Sequence, residues 1–146
     1  MCAASQVRLA VGAEAGAVHR LLLSVRQEIG LTYLFEQSRY QDWVQGNCEK
    51  RLIWVVVRGS DIIGTMMLER NKISYLAVRS DWQGQGIGRQ FMQKAKSKYK
   101  RLRVEVKPQN SKMIAFLKRE GFEKYHPPKC SMGYDAYRWL RSDEIG

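Results

Sequence analysis

Apolar and polar positions along the chain change period several times, and each change marks an element. Val7-Arg8-Leu9-Ala10-Val11 alternates as a half-buried strand does, and Gly12 ends it. From Glu14 to Ile29 the period becomes helical, with Val18, Leu21, Leu22, Val25 and Ile29 on one face and Gly30 as the stop. His19 sits beside Val18 in this helix, where a histidine without a metal partner reads as structural. Leu34, Phe35, Tyr40, Trp43 and Val44 suggest a second helix within 32–50, ending near Gly46-Asn47.

The pattern then turns to strand. Residues 51–58, Arg-Leu-Ile-Trp-Val-Val-Val-Arg, are followed by the turn Gly59-Ser60-Asp61 and by a returning strand over 62–69. Arg70-Asn71 turns again into a strand over 72–78, so three consecutive strands make an antiparallel meander. Ile87, Phe91, Ala95 and Tyr99 predict a helix from Gly86 to Lys100. Strict alternation over Arg101-Leu102-Arg103-Val104-Glu105-Val106 predicts a strand, which Pro108 ends. Asn110 or Ser111 caps a helix running to Glu120, with Met113, Ile114, Phe116 and Leu117 as its apolar set. Gly121 ends it, Phe122 opens another strand, Pro127-Pro128 is a loop, and 134–140 is a last aromatic-rich strand. The order β-α-α-β-β-β-α-β-α-β-β is an α/β arrangement with a mixed, mostly antiparallel sheet, expected as a single domain over 1–146.

Composition narrows the class. The chain has 146 residues, of which 45% are hydrophobic and 27% charged, as in folded globular proteins. No apolar run approaches the ~20 residues of a membrane span, and 1–5 lacks the pattern of a secretory signal. Cys2, Cys48 and Cys130 form no disulfide framework, which favours a cytoplasmic setting. The formal net charge of +11 favours anionic partners. Lys94, Lys96, Lys98 and Lys100 read first as a solvated helix face, with a nucleic-acid stripe as the alternative. His126 and Cys130, flanking Pro127-Pro128-Lys129, are too few for a zinc site, so no metal is expected.

The most specific stretch is Gln83-Gly84-Gln85-Gly86-Ile87-Gly88-Arg89, placed where a strand gives way to a helix. The first helical turn carries unpaired N–H groups and the positive end of the dipole, and glycine lets an anion approach. A Walker loop needs Gly-Lys-Ser/Thr, but Gly88 is followed by Arg89-Gln90. A dinucleotide fingerprint needs its third glycine one place later and an acid ~20 residues on; Glu105 lies near that distance, but the glycine spacing differs. Leu76-Ala77-Val78, four residues, then Gln-x-x-Gly-x-Gly resembles the acyl-CoA loop of the GNAT N-acetyltransferases. A second landmark agrees: Asn110, Phe116 and Gly121-Phe122 keep the family's later pattern, so the resemblance covers nearly the whole chain.

The resemblance implies a GNAT acyl-CoA N-acyltransferase fold in which strands 72–78 and 101–106 splay apart and acetyl-CoA enters the gap as co-substrate. Its pantetheine would pair with Leu76, Ala77 and Val78, its pyrophosphate would meet Gln83, Gly84, Gln85, Gly86, Ile87, Gly88 and Arg89, and Asn110 and Phe116 would lie close by. A backbone N–H near Val78 would polarise the thioester carbonyl. The first two helices would wall the acceptor site. Two departures stand out. Some relatives carry a basic glutamate at the start of the fourth strand, where this chain has Lys72, leaving Glu69 and Glu105 as the nearby carboxylates. The family's acidic tyrosine is replaced by Leu117, leaving Tyr125 and Tyr134 as substitutes. A thiol pKa near 8.5 lets thiolate leave without an acid.

The expected activity is acetyl transfer from acetyl-CoA to a primary amine by direct attack in a ternary complex, with no nucleophilic cysteine. Two alternatives remain open: an acyl-CoA-binding regulator with weak or no catalysis, and an acetyltransferase acting on an amine borne by nucleic acid. A homodimer is also left open, and no membrane partner is expected.

Overall fold

The computed structural model describes residues 6–25 and 38–144. Seven strands form one sheet: β1 (Arg8–Leu9), β2 (Ile53–Arg58), β3 (Asp61–Glu69), β4 (Lys72–Val78), β5 (Arg101–Val106), β6 (Glu123–Tyr125) and β7 (Asp135–Leu140). Their spatial order is β1-β2-β3-β4-β5-β7-β6, and every neighbouring pair is antiparallel except β4 with β5. Four α-helices are described: α1 (Ala15–Ser24), α2 (Ser38–Glu49), α3 (Ile87–Lys98) and α4 (Ser111–Arg119). The α/β order agrees with the sequence pattern. The expected end of α1 at 26–29, its Gly30 stop and the expected start of α2 at 32–37 lie outside the described residues. β2 starts at Ile53 rather than at 51 because Arg51 takes a left-handed φ of 63°, which no strand accommodates.

Two apolar layers sandwich the sheet. On one face α1 and α2 pack Val18, Leu22, Val44 and Cys48 against Ile53, Val55, Met67 and Tyr75. On the other, α3 and α4 bring Phe91, Met92 and Leu117 onto Val56, Met66, Ile73, Leu76, Leu102 and Val104. Gly64 permits the second layer to close: a Cβ there would lie 2.8 Å from the Phe91 ring. The lysines of α3 divide between two aromatic partners. Lys94 and Lys98 lie over Trp54 at 5.2 and 5.3 Å, while Lys96 lies over Trp139 at 5.1 Å and donates to the Glu120 carbonyl. These side chains thus cover the edges of the core. Buried His19 stacks on Tyr40, with ring centroids 5.9 Å apart.

Two features of β4 shape the site. Met67 pairs with Tyr75 and Leu68 with Ile73, so Ser74 is an extra residue and forms a bulge. Without it Ile73 and Tyr75 would share a face; with it Ile73 and Leu76 face α3 and α4 while Tyr75 and Ala77 face α1 and α2. The buried Tyr75 hydroxyl meets Thr65 Oγ1 at 3.3 Å, which satisfies both groups. The second feature is a short parallel ladder: β4 meets β5 only at Lys72–Arg103 and Ile73–Val104. Beyond Ile73 the two strands part, and the V-shaped gap leaves one edge of β4 open.

Candidate active site

The gap and the glycine loop share one surface. A cleft of about 1060 Å³ runs along Leu76, Ala77 and Val78, past the loop, and against α4. Among the residues expected to hold the cofactor, Leu76, Ala77, Val78, Gln83, Gly84, Gly86, Ile87, Gly88, Arg89, Asn110 and Phe116 line it; Gln85 is exposed and does not. Gly84 and Gly86 take φ of 79° and 84°, and a Cβ on either would meet nothing within 4 Å. These glycines are required by the backbone conformation, and the space before them is open. Gly86 caps α3 without a side-chain hydrogen bond, so the N–H groups of the first turn are presented to the cleft.

The loop is braced from behind. Gln83 Nε2 donates to the Val78 carbonyl at 3.0 Å, tying the loop to the end of β4. Asn110 has a similar structural duty: its Oδ1 accepts from Met113 N at 3.2 Å and caps α4. The cap aims the other face of α4 at the cleft, where Lys112 and Arg119 join Arg89. No carboxylate among the described residues pairs with any of these three cations. Three cations beside a helix N-terminus suit a polyanion. The sequence reading missed Lys112 and Arg119, although their spacing from Ala115 and Phe116 marks one helix face.

A second space of about 190 Å³ lies inside the V and meets the cleft at Leu76, Asn110 and Met113. Glu105 lines it at the centre of a polar network. Arg103 Nη2 donates to its Oε2 at 2.6 Å, Lys72 Nζ lies 3.8 Å from the same oxygen, and Ser131 N donates to Oε1 at 3.3 Å. Burial pushes the Glu105 carboxyl up, but the Ser131 hydrogen bond and the charges of Lys72 and Arg103 outweigh it and hold the group below its ordinary value. Glu105 is therefore a fixed anion, poorly suited to take a proton near neutrality.

The other two catalytic candidates are not brought to this space. Glu69 is the exposed last residue of β3, opposite Lys72 across the turn, and lines neither cavity. Tyr125 lies on β6, and β7 intervenes between that edge strand and β5; its ring is covered by Arg138 at 5.2 Å. Two tyrosines line the cavity: Tyr75, whose hydroxyl meets Thr65, and Tyr134, delivered by the loop between β6 and β7. Leu117 is fully buried on the same wall. Cys48 lies in the α1–α2 layer, and burial, with Glu14 and Glu49 nearby, pushes its thiol up to about 11. A thiol so raised is a poor nucleophile.

The chain is similar to known proteins. The acetyltransferase (GNAT) domain family matches residues 49–124, which include the meander, the loop and α4. The chain belongs to the GNAT acetyltransferases. It is 27% identical over 109 residues to a peptidyl-lysine N-acetyltransferase YjaB of Salmonella typhimurium, spanning 71% of this chain and 75% of that one. The Escherichia coli protein of the same name is 28% identical over 102 residues, spanning 66% and 69%. In three dimensions the GNAT chain superposes on the apo form of Escherichia coli YjaB with a TM-score of 0.71 at 20% identity, covering 99% of both. A PaiA N-acetyltransferase from Thermoplasma acidophilum, solved with coenzyme A, gives 0.67 at 15% identity, covering 94% of this chain and 99% of the other. These likenesses show that the fold is that of GNAT enzymes. No helix among the described residues is long and apolar enough to cross a membrane.

Proposed function

We propose that this GNAT protein transfers acetyl from acetyl-CoA to a primary amine, with a lysine side chain of a peptide or protein as acceptor, by direct attack in a ternary complex. The observation that carries the reading is the single cleft that joins the open edge of β4 to the left-handed Gly84 and Gly86 and the cations Arg89, Lys112 and Arg119. A pantetheine arm supplies amide groups for that strand edge, and a pyrophosphate supplies the anion for the loop. The lysine acceptor is supported by the peptidyl-lysine N-acetyltransferases at 27% and 28% identity.

The attacking amine must be neutral, and a free lysine has a pKa of about 10.4. Glu105 is held as an anion, so its role is to fix Lys72 and the Ser131 backbone around the cavity. Lys72 and Arg103 together outnumber that one carboxylate, and a surplus cation disfavours a second ammonium beside it. The amine nitrogen bonds to the thioester carbon, the C–S bond breaks, and CoA departs as thiolate. The amine proton passes to water or to the thiolate.

Calorimetry with acetyl-CoA, followed by thiol release over a panel of lysine peptides and free amines, tests the reading. Saturable binding and peptide-dependent thiol release are expected. Absence of binding at about millimolar acetyl-CoA, the weak end of the usual range of enzyme KM values, would overturn it.

A further inference from the structure

The rim of the space inside the V is cationic. Lys72 and Lys107 line it, and Lys129 is exposed in the loop between β6 and β7. That loop is braced at the rim. The Lys129 carbonyl accepts from Arg103 Nη2 at 3.4 Å, Ser131 N donates to Glu105 Oε1 at 3.3 Å, and Tyr134 N donates to the Ser131 carbonyl at 3.1 Å. Lys107 Nζ lies over the Tyr134 ring, 5.8 Å from its centroid. The nearby carboxylates do not balance these charges. Glu105 is held by Arg103 and Lys72, and Asp135 pairs with Lys124 at 3.5 Å. Glu69 is exposed across the turn from Lys72 and lines neither cavity. Among the described residues no carboxylate pairs with Lys107 or Lys129.

A lysine acceptor meets this rim as an ammonium, and like charge opposes its approach. We propose that the acceptor is an acidic peptide segment, in which aspartate or glutamate within a few residues of the target lysine pairs with Lys107 and Lys129. This deepens the lysine-acceptor reading above and rests on it. An extended peptide advances about 3.3 Å per residue, so acids one or two places from the lysine stay at the rim while its long side chain enters. The acids offset the repulsion that the target ammonium meets, and they leave the surplus of Lys72 and Arg103 over Glu105 inside the cavity intact. Basic residues beside the target lysine would add like charge, so the same lysines select against them.

The test is thiol release by the full chain at saturating acetyl-CoA, with lysine peptides of one length whose flanking residues are glutamate, alanine or arginine. An exposed ion pair is equivalent to up to about fivefold in affinity, so two flanking glutamates should raise kcat/KM over alanine by about tenfold, and two arginines should lower it. The preference should collapse at about 1 M salt, where the Debye length falls to about 3 Å. Lys107→Gln combined with Lys129→Gln should bring the glutamate and alanine peptides within about twofold of each other. Should that variant not fold, Lys129→Gln alone, at an exposed loop position, should cut the preference by about threefold. Equal kcat/KM for the glutamate and alanine peptides in the native protein would overturn the acidic acceptor and leave acetyl transfer to lysine standing. A preference untouched by salt or by these substitutions would do the same. No thiol release with any of the peptides would overturn both.

Discussion

Gln83 Nε2 donates to the main-chain carbonyl of Val78 at 3.0 Å, so the first residue of the glycine motif holds the loop to the strand it follows. The bond fixes where the N–H groups of α3 begin relative to the open edge of β4. Gln83→Ala removes it. A net hydrogen bond contributes about 0.5–1.5 kcal/mol, so acetyl-CoA affinity should fall by about twofold to tenfold. Calorimetry on both proteins measures this. Equal affinity would mean that the loop keeps its place without the brace.

Gly86→Glu should retain the fold and lose acetyl-CoA binding. The left-handed φ of 84° costs a non-glycine residue about 1–2 kcal/mol, while the open space around the position removes any clash with the protein itself. The added carboxylate occupies the anion position at the helix N-terminus and repels phosphate. Circular dichroism checks folding, and a folded variant that binds CoA normally would refute the role of the loop.

Glu105 supports the fold through Lys72, Arg103 and Ser131. Its pKa is lowered in the folded state, so its contribution to stability is complete above the ordinary carboxylate value of about 4.3 and is lost as pH falls through the lowered one. Its side chain is only 9% exposed, and Glu105→Gln should cost about 1–3 kcal/mol near neutral pH. Urea unfolding should show this gap closing as the pH falls below the ordinary carboxylate range. A gap independent of pH would place the effect in packing rather than charge.

Leu117→Tyr should raise kcat if a phenol in the cavity can protonate the leaving thiolate, since a positioned donor contributes ~10²–10⁴-fold. Leu117→Phe is the control because it adds the ring without the hydroxyl. Both enlarge a fully buried side chain and should cost roughly 1–3 kcal/mol of stability. Equal turnover of the two would show that position 117 supplies no proton. Tyr134→Phe then asks whether this tyrosine, already on the wall, does so: a loss of activity would assign the acid there, and no loss would show that Tyr134 does not supply it.

The sequence by itself determined the elements and the loop. The continuous apolar runs within 53–58 and 61–69, the alternation over 101–106 and the helical stripe through Ile87, Phe91 and Ala95 are local signals, and burial within the fold preserves them. The glycines were legible because Gly84 and Gly86 meet a backbone requirement that no other residue meets cheaply. What only the tertiary structure decided is which distant side chains share a cavity. Tyr125 and Tyr134 looked equivalent along the chain, but inserting β7 between β5 and β6 leaves one at the sheet edge and sends the other to the V. Glu69 and Glu105 were both carboxylates near β4, yet the turn exposes one while the parallel start of β5 sets the other against Lys72. The bulge at Ser74 likewise sets the faces of Tyr75 and Leu76, because one unpaired residue reverses every side chain after it. Such placements depend on strand order and register, which arise from contacts far apart in the chain and leave no local pattern in it.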